Sequence, residues 1–411
     1  MASSATVTPF SPYQKKLLLF LSVATFFEGF DFFALSQILP QLRGEWSLSK
    51  AQAGLLVTIV NLGTVIAYLL VRSADRWGRK PVLTITIAGY TLASLATAFA
   101  PNVYVFAVCQ LAGRIFLIAE WAVAMVFAAE EFPASRRGLV IGLIQAQSSL
   151  GSIVCAGLVP LLLKLPWGWR TIYVVGVIPL LIIAVARRSI KETRRFEEQV
   201  QAGPTPQLPL MRIWSTPYKK RLLQVAGLWA LTYLCTQTAI VFWKEFAVSE
   251  RHFTDGQVGL AMTLAAGGSM PFVFAAGKLL DRVGRRVGAI FVFLATVAGV
   301  AGAYLLASPV LLGLALAIGI FGTNSVLPVL NAFTTELFPT ELRSDAFAWA
   351  NNLLGRTTYV VAPFLVGIAA ERIGWSGAVS LTTLGPLAAL VLILWLMPET
   401  RGKELEETAR V

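Results

Sequence analysis

The sequence predicts an all-α integral membrane protein with twelve transmembrane helices in two pseudo-symmetric six-helix bundles and a central cavity. Three observations predict this fold class. Of the 411 residues, 56% are apolar and 14% are charged, whereas soluble proteins average roughly 45–50% and 25%. Apolar runs long enough to cross a bilayer recur along the whole chain. Motifs of the first half return in the second half. This composition excludes a soluble enzyme and a disordered chain.

We interpret each apolar run as one membrane span, because about 20 helical residues cross a bilayer core of about 30 Å. The first run is about 24 residues long, which exceeds the core of a signal peptide, so we expect it to be retained. We number the runs as spans 1 to 12, and they cover roughly 17–40, 51–71, 82–100, 103–130, 139–163, 170–186, 221–247, 257–280, 287–306, 309–337, 346–370 and 376–397.

The basic residues predict the orientation of the spans. Of the 34 Lys and Arg residues, 25 fall in segments on the side of the two termini and 7 fall in the loops on the other side. Basic loops stay in the cytoplasm, so we expect both termini to be cytoplasmic in a multi-pass protein of the cell (inner) membrane. The net charge of +12 therefore follows from topology and implies no nucleic-acid partner.

An internal repeat predicts two homologous halves. The loop 72–80 returns as 278–286, and the Glu-x-Phe-Pro motif at 130–133 returns at 336–339, both at an offset of 206 residues. We expect an N-terminal six-helix bundle in 1–186, a cytoplasmic linker in 187–220 and a C-terminal six-helix bundle in 221–411. Two parallel halves with a substrate site between them are typical of rocking secondary transporters.

Three motifs carry a family resemblance. The loops 75–80 and 281–286 read Asp-Arg-x-Gly-Arg-Lys/Arg, which resembles the signature of the major facilitator superfamily. The ending Pro-Glu-Thr-Arg-Gly-Lys-Glu-Leu-Glu-Glu at 398–407 is similar to that of its sugar-porter and organic-ion branch. Glu28-Gly29-Phe30-Asp31 in span 1 resembles the Asp-Gly-x-Asp of the aromatic-acid:proton symporters. The resemblance implies a secondary transporter that works by alternating access.

The same resemblance implies a conformational switch at the cytoplasmic ends of the spans. In that family such charged residues latch the helix ends together in one state and touch no substrate. By this resemblance the switch residues are Asp75, Arg79, Glu130, Arg137, Asp281, Arg285, Glu336 and Arg343.

Five ionisable residues lie well inside the predicted spans, away from their ends: Glu28, Asp31, Arg114, Glu120 and Arg356. A charge at this depth costs at least a few kcal/mol, so each is a candidate functional residue. A rise of about 1.5 Å per residue places Asp31, Arg114 and Arg356 near mid-membrane and Glu120 nearer the cytoplasm. The repeated motifs have charged counterparts 206 residues away, but these five have none. We therefore expect them to serve a specific, coupled site.

Span 11 offers a candidate binding face. Its Trp, Asn, Arg and Tyr side chains follow each other at spacings of three and four, so they share one side of a helix. A guanidinium fork suits a carboxylate, and flanking aromatic rings suit a flat apolar body. The predicted substrate-binding residues, including those of spans 4 and 7, are Arg356, Asn352, Trp349, Tyr359, Gln237, Tyr233 and Arg114.

Proton coupling must use carboxylates, because the single histidine, His252, falls in a predicted outer loop. We predict Asp31, Glu120 and Glu28 as the coupling residues. Our hypothesis is that Asp31 alternates between pairing with Arg114 and holding a proton.

The predicted function is proton-coupled symport of small organic anions, in particular carboxylates, by a monomer whose partners are substrate, protons and lipid bilayer. Three alternatives remain open: proton-driven efflux of amphipathic compounds or drugs, a sugar porter, and a ligand sensor that transports nothing. The buried charges also have a purely structural interpretation as internal ion pairs. An ATP-driven pump would need a GxxxxGK[ST] loop, which the chain lacks. We expect no enzyme activity, cofactor or metal, because the three cysteines lie apart in apolar runs.

Overall fold

The computed structural model describes residues 10–186, 190–193, 195–198, 210–401 and 408, and these residues are almost entirely helical. One 3-10 helix covers Leu210–Ser215 and one π-helix covers Ala348–Gly355. The α-helices include Pro12–Trp46, Lys50–Trp77, Arg79–Ala98, Val103–Glu131, Ala134–Leu162, Arg170–Ala186, Lys219–Val241, Trp243–Ser249, Asp255–Val283, Arg285–Leu305, Pro309–Glu336, Arg343–Phe347, Arg356–Leu381 and Leu384–Leu396.

These helices correspond to the twelve predicted spans. Within the described residues, nine helices are long and apolar enough to cross a membrane, or ten if the pair Lys219–Val241 and Trp243–Ser249, bent by 46°, counts as one. The run Arg343–Leu396 has 54 residues, which as one straight helix would reach about 80 Å. It breaks at Gly374, where φ is 76°, so it supplies spans 11 and 12. Span 6 is the shorter apolar helix Arg170–Leu181.

The repeat appears in local structure as well as in sequence. Spans 2 and 8 each begin with a capping box, in which Ser49 and Gln52, or Thr254 and Gln257, bond each other's backbone N–H. The turns that follow these spans contain Gly78 and Gly284, which share a φ of 98°. Only glycine adopts this backbone region without strain. The repeated glycine of the two signature loops is therefore a requirement of the turn.

Close helix contacts assemble each half. In the N-terminal half, spans 1 and 5 meet through glycines. A Cβ at Gly151 would lie 1.9 Å from the carbonyl oxygen of Phe26, and one at Gly29 would lie 1.9 Å from that of Ser148. Small residues allow this approach, on which helix association in a membrane depends. The contact positions the middle of span 1, which carries the two acidic residues of the candidate site.

The described end of the predicted linker packs on the C-terminal half. Ile213 of the 3-10 helix is fully buried, and Arg212 pairs with Glu341 at 3.0 Å. Trp214 contacts Trp349 edge to face, with ring centroids 5.2 Å apart. Residues 199–209 of the linker lie outside the described residues.

We call the helix ends near both termini the basic face and the other ends the opposite face. The halves meet closely toward the opposite face, where spans 2 and 11 touch. A Cβ at Gly54 would lie 2.3 Å from the carbonyl oxygen of Pro363. Pro363 has no N–H, so the carbonyl of Tyr359 loses its partner within the helix. The Asn61 amide of span 2 donates to that carbonyl at 3.5 Å, which joins the halves.

The glycine contact between spans 1 and 5 should carry measurable stability. We expect Gly151→Ala to lower the midpoint of thermal unfolding in detergent, because the new methyl group must push two backbones apart at a cost of about 1–3 kcal/mol. The control is Gly142→Ala in the same helix, where a Cβ meets nothing within 4 Å. Equal midpoints for the two variants would contradict the packing described here.

Candidate functional site

Three of the buried charges come together in the N-terminal half. Glu28 accepts a hydrogen bond from the hydroxyl of Ser148 at 2.7 Å. Asp31 lies about one turn further along span 1, beside the hydroxyl of Tyr90. Both carboxylates interact electrostatically with Arg114 of span 4. Spans 1, 4 and 5 therefore place two acids and one base in a single cluster.

Arg114 lies against an aromatic ring. It is 6% exposed, and its guanidinium lies over the ring of Phe32 at 4.1 Å from the centroid. Within the part of the chain that the structure describes, the buried Nη1 of this guanidinium has no hydrogen-bond partner. Gly63 of span 2 leaves room for the stem, because a Cβ there would lie 2.9 Å from the Cβ of Arg114. A buried N–H without a partner costs about 1–3 kcal/mol, which a bound acceptor would recover.

The C-terminal half contributes a second cluster around Arg356. Tyr233 of span 7 and Tyr359 of span 11 contact edge to face, with ring centroids 5.3 Å apart. Arg356 interacts electrostatically with both hydroxyls, and Gln237 lies beside Tyr359. The buried Nε of Arg356 also has no hydrogen-bond partner.

Tyr359 connects the two clusters. Its hydroxyl interacts electrostatically with Arg114 and Glu28 of the N-terminal half, as well as with Arg356 on its own helix. The structure therefore brings Glu28, Asp31, Arg114, Arg356 and Tyr359 to one place between the halves. We call this place, together with Tyr233 and Gln237, the central site.

Glu120 and Trp349, two of the predicted site residues, lie away from the central site. Glu120 accepts a hydrogen bond from Thr86 of span 3 at 2.6 Å and is buried within the N-terminal bundle. Trp349 lies about two helical turns before Arg356, toward the basic face, and packs on Trp214 of the linker. Each packs within its own half.

A π-helix changes the face that span 11 presents. The predicted face assumed 3.6 residues per turn, but Ala348–Gly355 is wound more loosely. Asn352 remains partly exposed, whereas its neighbour Asn351 is 6% exposed and accepts a hydrogen bond from the Tyr233 hydroxyl at 2.7 Å. Sequence reasoning missed Asn351, since propensities do not reveal a π-helix.

Spans 5 and 10 carry exposed polar side chains within their length. Gln145 of span 5 is exposed and lies three residues before Ser148, so both share the helix face that meets Glu28. Asn324 and Asn331 of span 10 are also exposed. Polar groups at membrane depth must line a water-filled cavity or protein, because lipid offers no hydrogen bonds.

The opposite face is closed by charged residues from both halves. Arg43 forms an ion pair with Glu245, and Lys50 pairs with Glu250 at 3.4 Å. Asp255 accepts from Gln41 across the interface at 3.0 Å and pairs with Lys244 of its own half at 2.6 Å. We call these charged residues the ionic clamp: Arg43, Lys50, Lys244, Glu245, Glu250 and Asp255.

The ionic clamp is partly buried, so separating its ion pairs requires a large free energy. Lys244 is 0% exposed and Glu245 is 2% exposed. Removing one partner of a buried pair typically costs 3–5 kcal/mol. From the sequence, Arg43, Lys50 and Lys244 were counted only among the basic residues of the outer loops, and the acidic partners were assigned no role. A signal was available: the loop after span 1 holds Arg43 and Lys50, and the corresponding loop after span 7 holds Glu250 and Asp255.

Four of the predicted switch residues form matching networks at the basic face. Arg79 donates to Glu130 at 3.1 Å and to the carbonyl of Ala74 at 3.2 Å. Arg285 donates to Glu336 at 2.9 Å and to the carbonyl of Leu280 at 3.0 Å. Each arginine therefore makes the same two kinds of hydrogen bond in its own half.

Two Glu-Thr pairs, 207 residues apart in the sequence, complete these networks. Glu192 accepts from the backbone N–H of Arg79 at 3.1 Å, and Thr193 donates to Glu130 at 2.5 Å. In the second half, Glu399 and Thr400 occupy the same places. Burial alone would raise the pKa of Glu399, but four backbone N–H donors outweigh it and lower that pKa, so the carboxylate stays charged at neutral pH.

The other four predicted switch residues are Arg137, Arg343, Asp75 and Asp281. Arg343 donates to the carbonyl of Phe338 at 3.5 Å, and Arg137 is partly buried at the start of span 5. The side chains of Asp75 and Asp281 lie outside the described residues.

A family model named Major Facilitator Superfamily matches residues 21–243 and 225–410, which together cover nearly the whole chain. The chain belongs to the major facilitator superfamily. It is a membrane transporter rather than an enzyme, and the predicted family resemblance and fold class are confirmed.

Curated relatives cover the chain end to end. A probable 4-methylmuconolactone transporter of Cupriavidus pinatubonensis is 28% identical, with 96% of this chain and 93% of that protein covered. A gallate transporter of Pseudomonas putida is 29% identical, with 94% and 92% covered. Among solved structures, the inward-open xylose transporter XylE of E. coli superposes with a TM-score of 0.75 at 18% identity over 96% of this chain and 99% of that one.

The ionic clamp of this superfamily member should control how often its opposite face opens. We expect Glu245→Gln to speed thiol labelling of a cysteine introduced at Gln37 by about tenfold or more, because the variant releases Arg43. Gln37 is 0% exposed and contacts Met262 of the other half. The three native cysteines are replaced beforehand.

The matched control is Glu45→Gln, which breaks the Glu45–Arg170 pair at the same face but within the N-terminal half. Labelling at Gln37 should not respond to this change. If both variants labelled alike, the clamp would not hold the halves together.

Proposed function

We propose that this protein is a proton-coupled symporter of small organic anions, in particular carboxylates, working by alternating access. The observation that supports this most is the pair of arginines in the central site, one from each half. Arg114 and Arg356 each hold a buried N–H without a partner. A carboxylate accepts charge-assisted hydrogen bonds from guanidinium forks, whereas an uncharged sugar has no need of two such cations.

The named relatives support the same substrate class. Proteins similar to this chain over nearly its full length are described as transporters of 4-methylmuconolactone and of gallate. Both are small, oxygen-rich molecules. The aromatic pair Tyr233 and Tyr359 provides a surface that suits a flat body beside the Arg356 guanidinium.

Proton coupling is assigned to Asp31, with Glu28 as its neighbour. Both carboxylates act on Arg114, yet the guanidinium lies on Phe32 rather than in an ion pair. A proton on Asp31 would reduce the negative charge beside Arg114 and so favour an incoming anion. Loss of that proton would restore the repulsion and favour release. The sequence also makes Glu120 a coupling candidate. Because it accepts a hydrogen bond from Thr86 of span 3, we assign it an indirect role in coupling, through span 3.

The transport cycle follows from the two faces. The ionic clamp would close the opposite face in this conformation, and substrate would leave toward the basic face, past the exposed polar residues of spans 5 and 10. The excess of Lys and Arg assigns the basic face to the cytoplasm of a cell membrane. The networks of Arg79 and Arg285 hold the helix ends of each half as rigid units while the halves rock.

The chain would be organised as two bundles joined by a linker. Residues 1–186 and 221–411 would be the two moving bundles, and 187–220 the cytoplasmic linker. One chain contains both halves of the central site, so a monomer suffices for transport.

Anion recognition should depend on Arg356. We expect Arg356→Gln to raise the KM for uptake of the best organic acid by about 10–100-fold, the loss of a charge-assisted hydrogen bond worth about 1.5–3 kcal/mol. Arg356→Lys should restore only part of the lost affinity, since an ammonium lacks the planar fork of a guanidinium. The measurement is uptake of radiolabelled acids into proteoliposomes.

The control is Arg372→Gln, which removes the same charge from the exposed opposite end of span 11. Its KM should match that of the unmodified protein. An unchanged KM in Arg356→Gln would exclude anion binding at this residue and favour the efflux or sugar alternatives.

Coupling should depend on Asp31. We expect Asp31→Asn to abolish uptake driven by an inward proton gradient, while exchange of internal for external substrate continues, because the amide cannot release a proton. Glu341→Gln, which removes an exposed carboxylate of the basic face, should leave gradient-driven uptake intact. Gradient-driven accumulation by Asp31→Asn would show that another group carries the proton.

A further inference from the structure

A cavity outside the central site lies at the basic face, between the ends of spans 2 and 4. Its volume is about 170 Å³. A cavity of about 150 Å³ admits benzene, so this one has room for a small ring. We call it the mouth pocket, and define it by its polar lining of Tyr68, Arg72 and Arg79 and its apolar lining of Val71, Val123 and Val126.

The polar side of the mouth pocket faces the boundary between the halves. Further along span 2, toward the opposite face, Asn61 donates to the carbonyl of Tyr359 in span 11 at 3.5 Å. Tyr68 and Arg72 follow Asn61 by seven and eleven residues, so all three lie on one side of the helix. Arg72 is exposed. At the basic face this side of span 2 is therefore open to solutes that arrive between the halves.

The two arginines of the mouth pocket are held differently. Arg79 is 6% exposed, and its guanidinium donates to Glu130 at 3.1 Å and to the carbonyl of Ala74 at 3.2 Å. These bonds fix one guanidinium in the wall of the pocket. Arg72 is exposed at its rim, where an incoming anion would meet its charge first.

The charges around the mouth pocket leave a positive excess. The loop 72–80 holds four basic residues and one acidic residue. Two further carboxylates contact this loop: Glu130 accepts from Arg79, and Glu192 accepts from the backbone N–H of the same residue at 3.1 Å. These groups together carry one net positive charge, which favours an anion over a cation.

We propose that the mouth pocket is a second anion-binding site, for a carboxylate or phosphate group attached to a small apolar body. Guanidinium groups give such an anion charge-assisted hydrogen bonds, and the valines cover its apolar part. An organic acid in solution and the headgroup of an anionic phospholipid both present this chemistry. The lining residues all belong to the N-terminal half, so binding here does not depend on Arg356 or on the proposed function.

The test measures thiol labelling of Val126→Cys in the full chain in detergent, after the three native cysteines are replaced. Val126 is 40% exposed and lines the pocket. We expect benzoate to slow labelling severalfold at saturation, because the bound anion covers the thiol. Benzamide has nearly the same shape without the charge and should protect far less. The same protection should persist in Arg356→Gln, in which the central site has lost its arginine.

Variants of the rim arginine identify the group that binds. We expect Arg72→Gln to raise the benzoate concentration for half protection about tenfold or more, the effect of one lost charge-assisted hydrogen bond. Arg72→Lys keeps the charge and should retain part of the protection. The matched control is Arg76→Gln, an exposed arginine of the same loop that does not line the pocket, and it should bind benzoate as the unmodified protein does.

A second labelling position separates local cover from a change of conformation. Gln145 of span 5 is exposed but does not line the mouth pocket. Gln145→Cys should therefore label at the same rate with and without benzoate. The comparison of benzoate with benzamide needs no change to the charges of the pocket, so it remains decisive if an arginine variant fails to fold.

Nanodiscs distinguish the two sources of the anion. Protection by benzoate in phosphatidylcholine discs would assign the site to a soluble acid, and protection by added phosphatidylglycerol without benzoate would assign it to a lipid phosphate. The inference is overturned if neither anion slows labelling, if Arg72→Gln is protected as well as the unmodified protein, or if Gln145→Cys is protected alike. Loss of protection in Arg356→Gln would also overturn it, because the effect would then come from the central site.

Discussion

A charged side chain can be held at membrane depth only if water, an opposite charge or a ligand offsets the loss of hydration, since the alternative costs several kcal/mol. The rest of the architecture follows from this constraint. Arg114 and Arg356 lie at the boundary between the halves. At the opposite face, Arg43 pairs with Glu245 and Lys244 pairs with Asp255. Under the proposed function, the arginines of the central site bind the substrate and the ion pairs of the opposite face close access to it.

The two halves share a scaffold and differ in chemistry. The networks of Arg79 and Arg285 match bond for bond, and Gly78 and Gly284 adopt the same backbone conformation. Such repetition suits parts that must move as equivalent rigid bodies. The central site has no such symmetry: its acids come from span 1, and one arginine comes from each half.

Much of this could be predicted from sequence, because apolar length, charge bias and the 206-residue offset each report a strong physical constraint. The depth estimate put Asp31, Arg114 and Arg356 at a similar height, and in the structure Tyr359 or Arg114 connects these residues electrostatically. The neighbours of Glu120 and Trp349 could not be predicted, since depth does not say which helix a side chain faces. Asn351 was out of reach because one π-helical segment shifts the face of span 11. The ionic clamp was missed because its residues pair between loops some 200 positions apart.

The proline of span 11 has an effect on kinetics. Pro363 removes one bond from its own helix, and the carbonyl of Tyr359 that it releases is taken up by Asn61 of the other half. When the halves separate, water entering the gap can replace the Asn61 amide at that carbonyl. The helix itself breaks no bond in the process. The bond between Asn61 and Tyr359 thus stabilises the closed conformation. Because water can replace it as the halves separate, it adds little to the activation barrier for opening.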